Sequence, residues 1–288
     1  MKRFIINIII ILGICLAWQV LGEYVYTYIY NNGTARNKVM WVRSLNNTQM
    51  DFAVLGSSRA EYHVDPLLIE AETGLIGYNF GDQNSYPFEI DLLSRELLMR
   101  TSVDRLLVQV DYTYNMDQPD VEASIPWMPY LKEAHIYPDF EPHDAIYKWF
   151  RHVPFYRYQY FEGELGIRNV VMSALGKQPD FFKNRGFKPI KHQLQELEPF
   201  EHYLQETENQ SLKSVKQLCD EQGVETTFFI SPIRAFKGNM PLIKNYLPEV
   251  IDYTDLYKDK ALFSDPIHLK ANGARLFTQQ LIQDVFQK

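Results

Sequence analysis

The apolar positions change their period several times along the chain. From Phe4 to Gly22 they form one nearly unbroken run, preceded by Lys2 and Arg3. A helix needs about 20 apolar residues to cross a hydrocarbon core. The run therefore predicts a signal anchor over 1–22, with Lys2 and Arg3 on the cytoplasmic side and the remainder outside. A cleaved signal peptide is the rival reading, and the bulky "AWQVLG" that ends the run fits it poorly. Residues 23–50 read as a tyrosine-rich stalk, where aromatic rings favour the membrane interface, and a short helix over 37–45. Short apolar runs then alternate with segments of helical period. Strands are predicted at 51–56, 77–81, 105–111, 225–232 and 249–256, and helices at 85–100, 205–223 and 270–287. Such alternation predicts an α/β domain over 51–288 built on a parallel sheet covered by helices.

One region breaks the alternation. Between about 112 and 204 no clean strand–helix unit appears, and the stretch "WMPYLKEAHIYPDFEPHDAIYKWFRHVPFYRYQYF" is dense in aromatics and punctuated by proline. Two readings stand side by side. The first is a lid over the C-terminal edge of the sheet, with faces such as Trp127 and Tyr130 holding a sugar or acyl chain. The second is a helical subdomain whose aromatics are its own core.

Composition narrows the function classes. The 288 residues carry a net charge of −7, with 46% hydrophobic and 23% charged residues. That field would repel phosphate and no basic stripe is present, which excludes a general nucleic-acid binder. The two cysteines, Cys15 in the apolar run and Cys219 in a predicted helix, do not suggest a disulfide. His135, His143 and His152 have no metal-site spacing, and neither a metal nor a cofactor is expected.

Candidate chemistry sits in two stretches. "DFAVLGSSRAEYHVDP" ends a predicted strand in Gly-Ser-Ser-Arg, and sites in open α/β sheets form at the C-terminal ends of strands. Ser57 or Ser58 is thus either a nucleophile or the cap of a following turn. "FSDPIHLKANGARLF" places Asp265 three residues before His268 at the entrance of the last helix. A serine hydroxyl needs a base within hydrogen-bond reach, and that base needs an orienting partner. Asp265 and His268 can form that pair. Arg59 and Arg234 stand at strand ends, where each could hold an anionic substrate group or pair with a carboxylate such as Asp82 or Asp111.

Taken in order, these blocks resemble the SGNH (GDSL-like) hydrolase superfamily. The likeness is to its membrane-anchored cell-envelope branch, which includes the lipoteichoic acid D-alanyl transfer protein and the alginate O-acetylation proteins. "LGSSRAEYHVDP" is similar to the first block, "YNFGDQNSYP" to the second and "DPIHL" to the last. The resemblance implies a flavodoxin-like three-layer sandwich and a triad of Ser58, His268 and Asp265. It also implies an oxyanion donor at the Gly81 N–H. The third block departs from the pattern: the strand ends "VQVDYTYN", with Asp111 where an asparagine donor usually stands, so Asn84 or Asn115 is the candidate replacement. The implied function is that of a membrane-tethered, extracytoplasmic acyl-ester hydrolase or O-acyltransferase. Its expected partners are a cell-envelope glycan or acyl-ester substrate and a membrane acyltransferase. The alternative is a catalytically silent member of the same fold that binds glycan or a partner protein.

Overall fold

The computed structural model describes residues 1–192 and 198–287, and the part of the predicted insertion at 193–197 lies outside them. In chain order the helices and strands of the first half are α1 (Lys2–Asn32), α2 (Lys38–Ser44), β1 (Thr48–Leu55), α3 (Ser58–His63), α4 (Pro66–Thr73), β2 (Gly77–Asn79), α5 (Pro87–Arg100) and β3 (Thr101–Gln109). The second half holds α6 (Tyr137–Phe140), α7 (Ile146–His152), α8 (Tyr156–Tyr160), α9 (Glu162–Leu165), α10 (Ile167–Ala174), α11 (Gln210–Gln222), β4 (Glu225–Ile230), β5 (Ile251–Asp252) and α12 (Ala271–Val285). The five strands named here appear along the chain in the expected order, with shifted ends, and a separate parallel pair, Glu201–His202 with Lys237–Gly238, was not expected. The strand predicted at 249–256 is only two residues long.

Two compact units form. The first comprises Met1–Ser44 and Ser124–Pro179, the second Leu45–Ala123 and Asp180–Lys288. These limits differ from the sequence-based ones in two ways. Of the insertion predicted at 112–204, only 124–179 belongs to the first unit. The stalk is no separate piece, because α1 runs unbroken from the apolar segment to Asn32.

In the first unit, α1 is long and apolar enough to cross a membrane, with a mean hydropathy of 2.5 in its most apolar window. At a rise of 1.5 Å per residue its 31 residues span about 46 Å, well beyond a hydrocarbon core of about 30 Å. The excess is its C-terminal part, and the aromatic insertion packs there. Tyr158 and Phe155 meet Tyr26 edge-on at ring-centroid distances of 5.2 and 4.8 Å, and the Tyr130 hydroxyl donates to the Tyr30 carbonyl at 2.9 Å. Glu23 accepts from Lys132 at 2.6 Å, from Arg157 at 2.8 Å and from the Phe155 N–H at 3.0 Å. Trp127, Tyr130, Phe140, Phe150 and Tyr158 are all buried. The insertion is thus a helical subdomain whose aromatics form its own core. Trp127 and Tyr130, read from sequence as substrate-holding faces of a lid, are spent in that core.

In the second unit, five strands form one parallel sheet in the order β2-β1-β3-β4-β5. Side chains alternate across it. Phe52, Val54, Leu107 and Phe229 share one core with Phe277, Leu281 and Ile282 of α12, with Ala60 of α3, with Val64 just after it and with Ile69 of α4. On β1 and β3 the alternate positions Ala53, Leu55, Leu106 and Val108 are equally buried, and α5 packs against both strands and against α11. Local signals set the helix ends. Asp65 caps α4 ahead of Pro66, and Gly74 stops it in the left-handed region at φ 77°. Asn209 caps α11 and Gly223 stops it at φ 70°.

Candidate functional site

Strand β1 ends at Leu55, and Gly56 turns the chain with φ 146°, a conformation that favours glycine. A Cβ at Gly56 would lie 2.7 Å from Gln109 Cβ and 2.8 Å from Ala60 Cβ. Both strain and close packing therefore demand glycine. Gly56→Ala is expected to destabilise the fold by about 1–3 kcal/mol, read as a lowered denaturation midpoint in detergent.

The next three residues divide the work. Ser57 caps α3: its hydroxyl accepts the Arg59 N–H at 3.2 Å and donates to Gln109 Oε1 at 2.8 Å. Ser58 opens α3, and its Oγ lies 2.8 Å from His268 Nε2. Arg59 is wholly buried. It donates to Asp111 Oδ2 at 2.7 Å and to the carbonyls of Ser231 and Pro232 at the end of β4. The nucleophile and capping readings of Gly-Ser-Ser therefore fall on different serines. Arg59 is corrected from a possible anion-binding group to one half of a buried ion pair with Asp111, the second of the two sequence readings. Asp111 also accepts from Gln109 Nε2 at 2.7 Å and from the Thr113 N–H at 2.9 Å. A carboxylate so placed has its lone pairs satisfied and a counter-charge beside it.

His268 sits in a short loop closed by an antiparallel bridge between Phe263 and Leu269. Its Nδ1 is 2.7 Å from Asp265 Oδ2. The other carboxylate oxygen of Asp265 accepts the N–H groups of Ile267 at 2.9 Å and His268 at 2.8 Å. Burial pulls the Asp265 pKa upward, but the hydrogen bond and charge of His268 and the two N–H donors outweigh it, leaving a net lowering. Asp265 is therefore an anion at neutral pH, and its acceptor capacity selects the tautomer with hydrogen on Nδ1 and a lone pair on Nε2 facing Ser58. The ring of Tyr62 meets His268 edge-on at 5.3 Å.

Three positioning residues escaped the sequence reading. Asn79 donates to the carbonyls of Ala60 and Val64, at 2.7 and 2.8 Å, and ties α3 to β2. Gln109 holds Ser57 on one side and Asp111 on the other. His63, fully buried, accepts the Leu269 N–H on Nε2 at 2.9 Å and so links the helix of Ser58 to the loop of His268. The only signal in the sequence was a polar residue at an inward-facing strand or helix position, which has no meaning before the neighbours are known.

Burial first, then the charges of Arg59 and His268, hold the His63 pKa well below its usual 6.5. The unfolded chain therefore binds a proton that the native one refuses, and stability falls as pH drops below about 6.5, by at most about 1.4 kcal/mol per pH unit. Glu89 acts in the opposite sense: burial pushes its pKa up to about 8, so its contribution is present below 4.5 and lost as pH rises to 8. Comparing the wild type with His63→Gln cancels the Glu89 effect. Thermal unfolding in detergent should show a shallower loss of stability between pH 6.5 and 5 in the variant.

The remaining predicted donors are placed elsewhere. The Gly81 N–H is given to Asn79 Oδ1 at 2.9 Å, so this expected oxyanion donor is already committed. Gly81 has a packing role as well, since a Cβ there would lie 2.6 Å from Ala60 Cβ. Asn84 donates to Glu122 at 2.6 Å, and Asn115 to the Gln205 carbonyl and Thr207 Oγ1. Among the described residues no acceptor takes the Ser58 N–H, which is the first of α3. Arg234 stays beside the site through its backbone, whose N–H donates to the Pro266 carbonyl at 2.8 Å, and its side chain is half-exposed. A cavity of about 310 Å³ bordered by Tyr114, Leu212, Lys216 and Tyr246 contains none of the triad. No cluster of three metal-ligating side chains occurs among the described residues, and both cysteines are free.

The chain matches no protein-family model and no curated protein.

Proposed function

We propose that the protein is a membrane-tethered serine acyl-ester hydrolase or O-acyltransferase of SGNH type, acting on a cell-envelope glycan outside the cytoplasmic membrane. The observation that carries this reading is the unbroken relay Ser58 Oγ–His268 Nε2–Asp265, at 2.8 and 2.7 Å. In it, Ser58 Oγ attacks the ester carbonyl while its proton passes to His268 Nε2. Asp265 holds the imidazolium that forms. His268 then returns the proton to the departing alkoxide, leaving an acyl-Ser58. A water or a sugar hydroxyl, deprotonated by the same Nε2, takes the acyl group in the second half. The Ser58 N–H is the backbone donor aimed at the developing oxyanion. Strand order 2-1-3-4-5 and two separate helix groups, α3/α4/α12 and α5/α11, support a flavodoxin-like three-layer arrangement. The apolar α1 supports the tether, and Lys2 and Arg3 support an orientation with the sheet outside.

The test is labelling of the full chain in detergent with a fluorophosphonate serine probe, followed by peptide mapping. Label on Ser58 is expected. A folded protein that takes up no probe would favour the second reading, a silent glycan- or partner-binding member of the fold. One observation favours that reading: the expected oxyanion donors are engaged elsewhere, the Gly81 N–H with Asn79, Asn84 with Glu122 and Asn115 with Gln205.

A further inference from the structure

We propose that α7 and α8 form a membrane-contacting face, seated in the headgroup region of the bilayer that α1 enters. The contacts of Gly22 and Glu23 set the level. The apolar run of α1 ends at Gly22, where a Cβ would lie 3.1 Å from the Phe155 ring. Glu23, the next residue, is ion-paired with Lys132 and Arg157 and accepts the Phe155 N–H. Hydrocarbon does not hold such a charge cluster on the outside of a helix, so the bilayer boundary on α1 falls at Gly22–Glu23. Phe155 lies in the turn between α7 and α8, which places that turn at the boundary.

The side chains around the turn suit that depth. Trp149 is 62% exposed and Tyr160 56%, although Phe150, between them and the core, is buried and contacts Tyr160 at 5.2 Å. Tyr160 thus extends an aromatic core outward, and both rings stand largely uncovered by the described residues. Lys148 and His152 are exposed beside Trp149, and Arg151 stacks over Tyr137 at 4.0 Å. Charge is polarised along α7. Asp144 accepts the Ile146 N–H at the N-terminal end, and the basic residues lie toward the Phe155 end. Tryptophan and tyrosine with lysine and arginine are the side chains of the membrane interface, and basic groups there are drawn to anionic headgroups. The single occupant that meets both the aromatic and the basic groups, at the level where α1 becomes apolar, is the phospholipid surface.

The inference rests on α1 lying in a bilayer and is independent of any chemistry at Ser58. The experiment uses the full chain in vesicles of phosphatidylcholine and phosphatidylglycerol, with and without lipid brominated near the carbonyl end of its acyl chains. Trp41 and Trp127 are buried, which leaves Trp18 in α1 and Trp149 to respond. Bromolipid should quench Trp149→Phe through Trp18 and should also quench Trp18→Phe through Trp149, while the double variant should be unaffected. Quenching through Trp18 but none in Trp18→Phe would overturn the proposal and leave the tether standing, whether acrylamide reaches Trp149 or a protein partner shields it. No quenching in any variant would overturn both.

Discussion

Ser58→Ala and His268→Ala are each expected to abolish ester turnover and probe labelling, and the double variant to be scarcely worse than either single. Residues that share one proton relay act as a unit, so the first loss already removes what the second would remove, and each should cost about 10³-fold or more. Asp265→Asn is expected to be severe in a different way. Its amide would offer a donor toward Nδ1 and favour the wrong tautomer, while the side-chain oxygen that accepts the Ile267 and His268 N–H groups survives. Stability should change little on Ser58→Ala, since Ser58 is only half-buried and its side chain carries no core packing. Initial rates on a chromogenic acyl ester, read with denaturation midpoints for each variant, check the expectation. Full turnover by a well-folded Ser58→Ala would sink the enzyme reading.

Arg59→Ala is expected to cost about 3–5 kcal/mol of stability, because it leaves the Asp111 carboxylate buried without its counter-charge. Both side chains are fully buried, and the Ser231 and Pro232 carbonyls would lose their donor as well. Asp111→Ala should cost a comparable amount for the converse reason. The joint replacement Arg59→Met with Asp111→Leu should recover part of the loss, since it removes both charges and leaves only neutral groups, Gln109, Thr113 and the Ser231 and Pro232 carbonyls, to find new partners. Denaturant titration of the four proteins measures this directly. The result also separates two roles for Arg59. A substrate-holding arginine would raise KM with stability intact; a buried strut lowers stability first, and activity follows as the Gly56–Ser57–Ser58 turn loosens.

The parallel sheet was legible in the sequence because strands buried on both faces carry short apolar runs that stand out against helical periods, whereas the order of strands within it was not. So was the polar chemistry of Gly-Ser-Ser and of Asp265 and His268, although position left Ser57 and Ser58 open and only the family resemblance singled out Ser58. Each lies at a strand end or just before a helix, where polar residues are not explained by the core, and Asp265 and His268 are close enough in sequence to meet without knowledge of the fold. Helices α3 and α4 were missed. Six and eight residues long, they are too short to display a period, and α3 is made of polar and aromatic residues that become buried only when α12 closes over them. The apolar run of α1 declared itself by length alone, but where the stalk ends did not, because Tyr24 to Tyr30 reads the same on a free stalk as under a helical subdomain.

What the chain determined by itself is the set of elements and the chemistry at their ends, both local properties of spacing and residue type. What only tertiary structure decided is where each polar group spends its hydrogen bonds. Gly81, Asn84 and Asn115 had the right chemistry for an oxyanion donor, yet Asn79, Glu122, Gln205 and Thr207 hold them. Arg59 had the right chemistry for an anion, yet Asp111 holds it. Trp127 and Tyr130 had the right faces for a sugar, yet the first unit buries them. A donor, a charge or a ring can be read from one residue, but its partner comes from elsewhere in the chain: 52 positions separate Arg59 from Asp111, and 210 separate Ser58 from His268. Folding brings such residues together, and the buried polar groups among them must then be satisfied by whatever stands beside them.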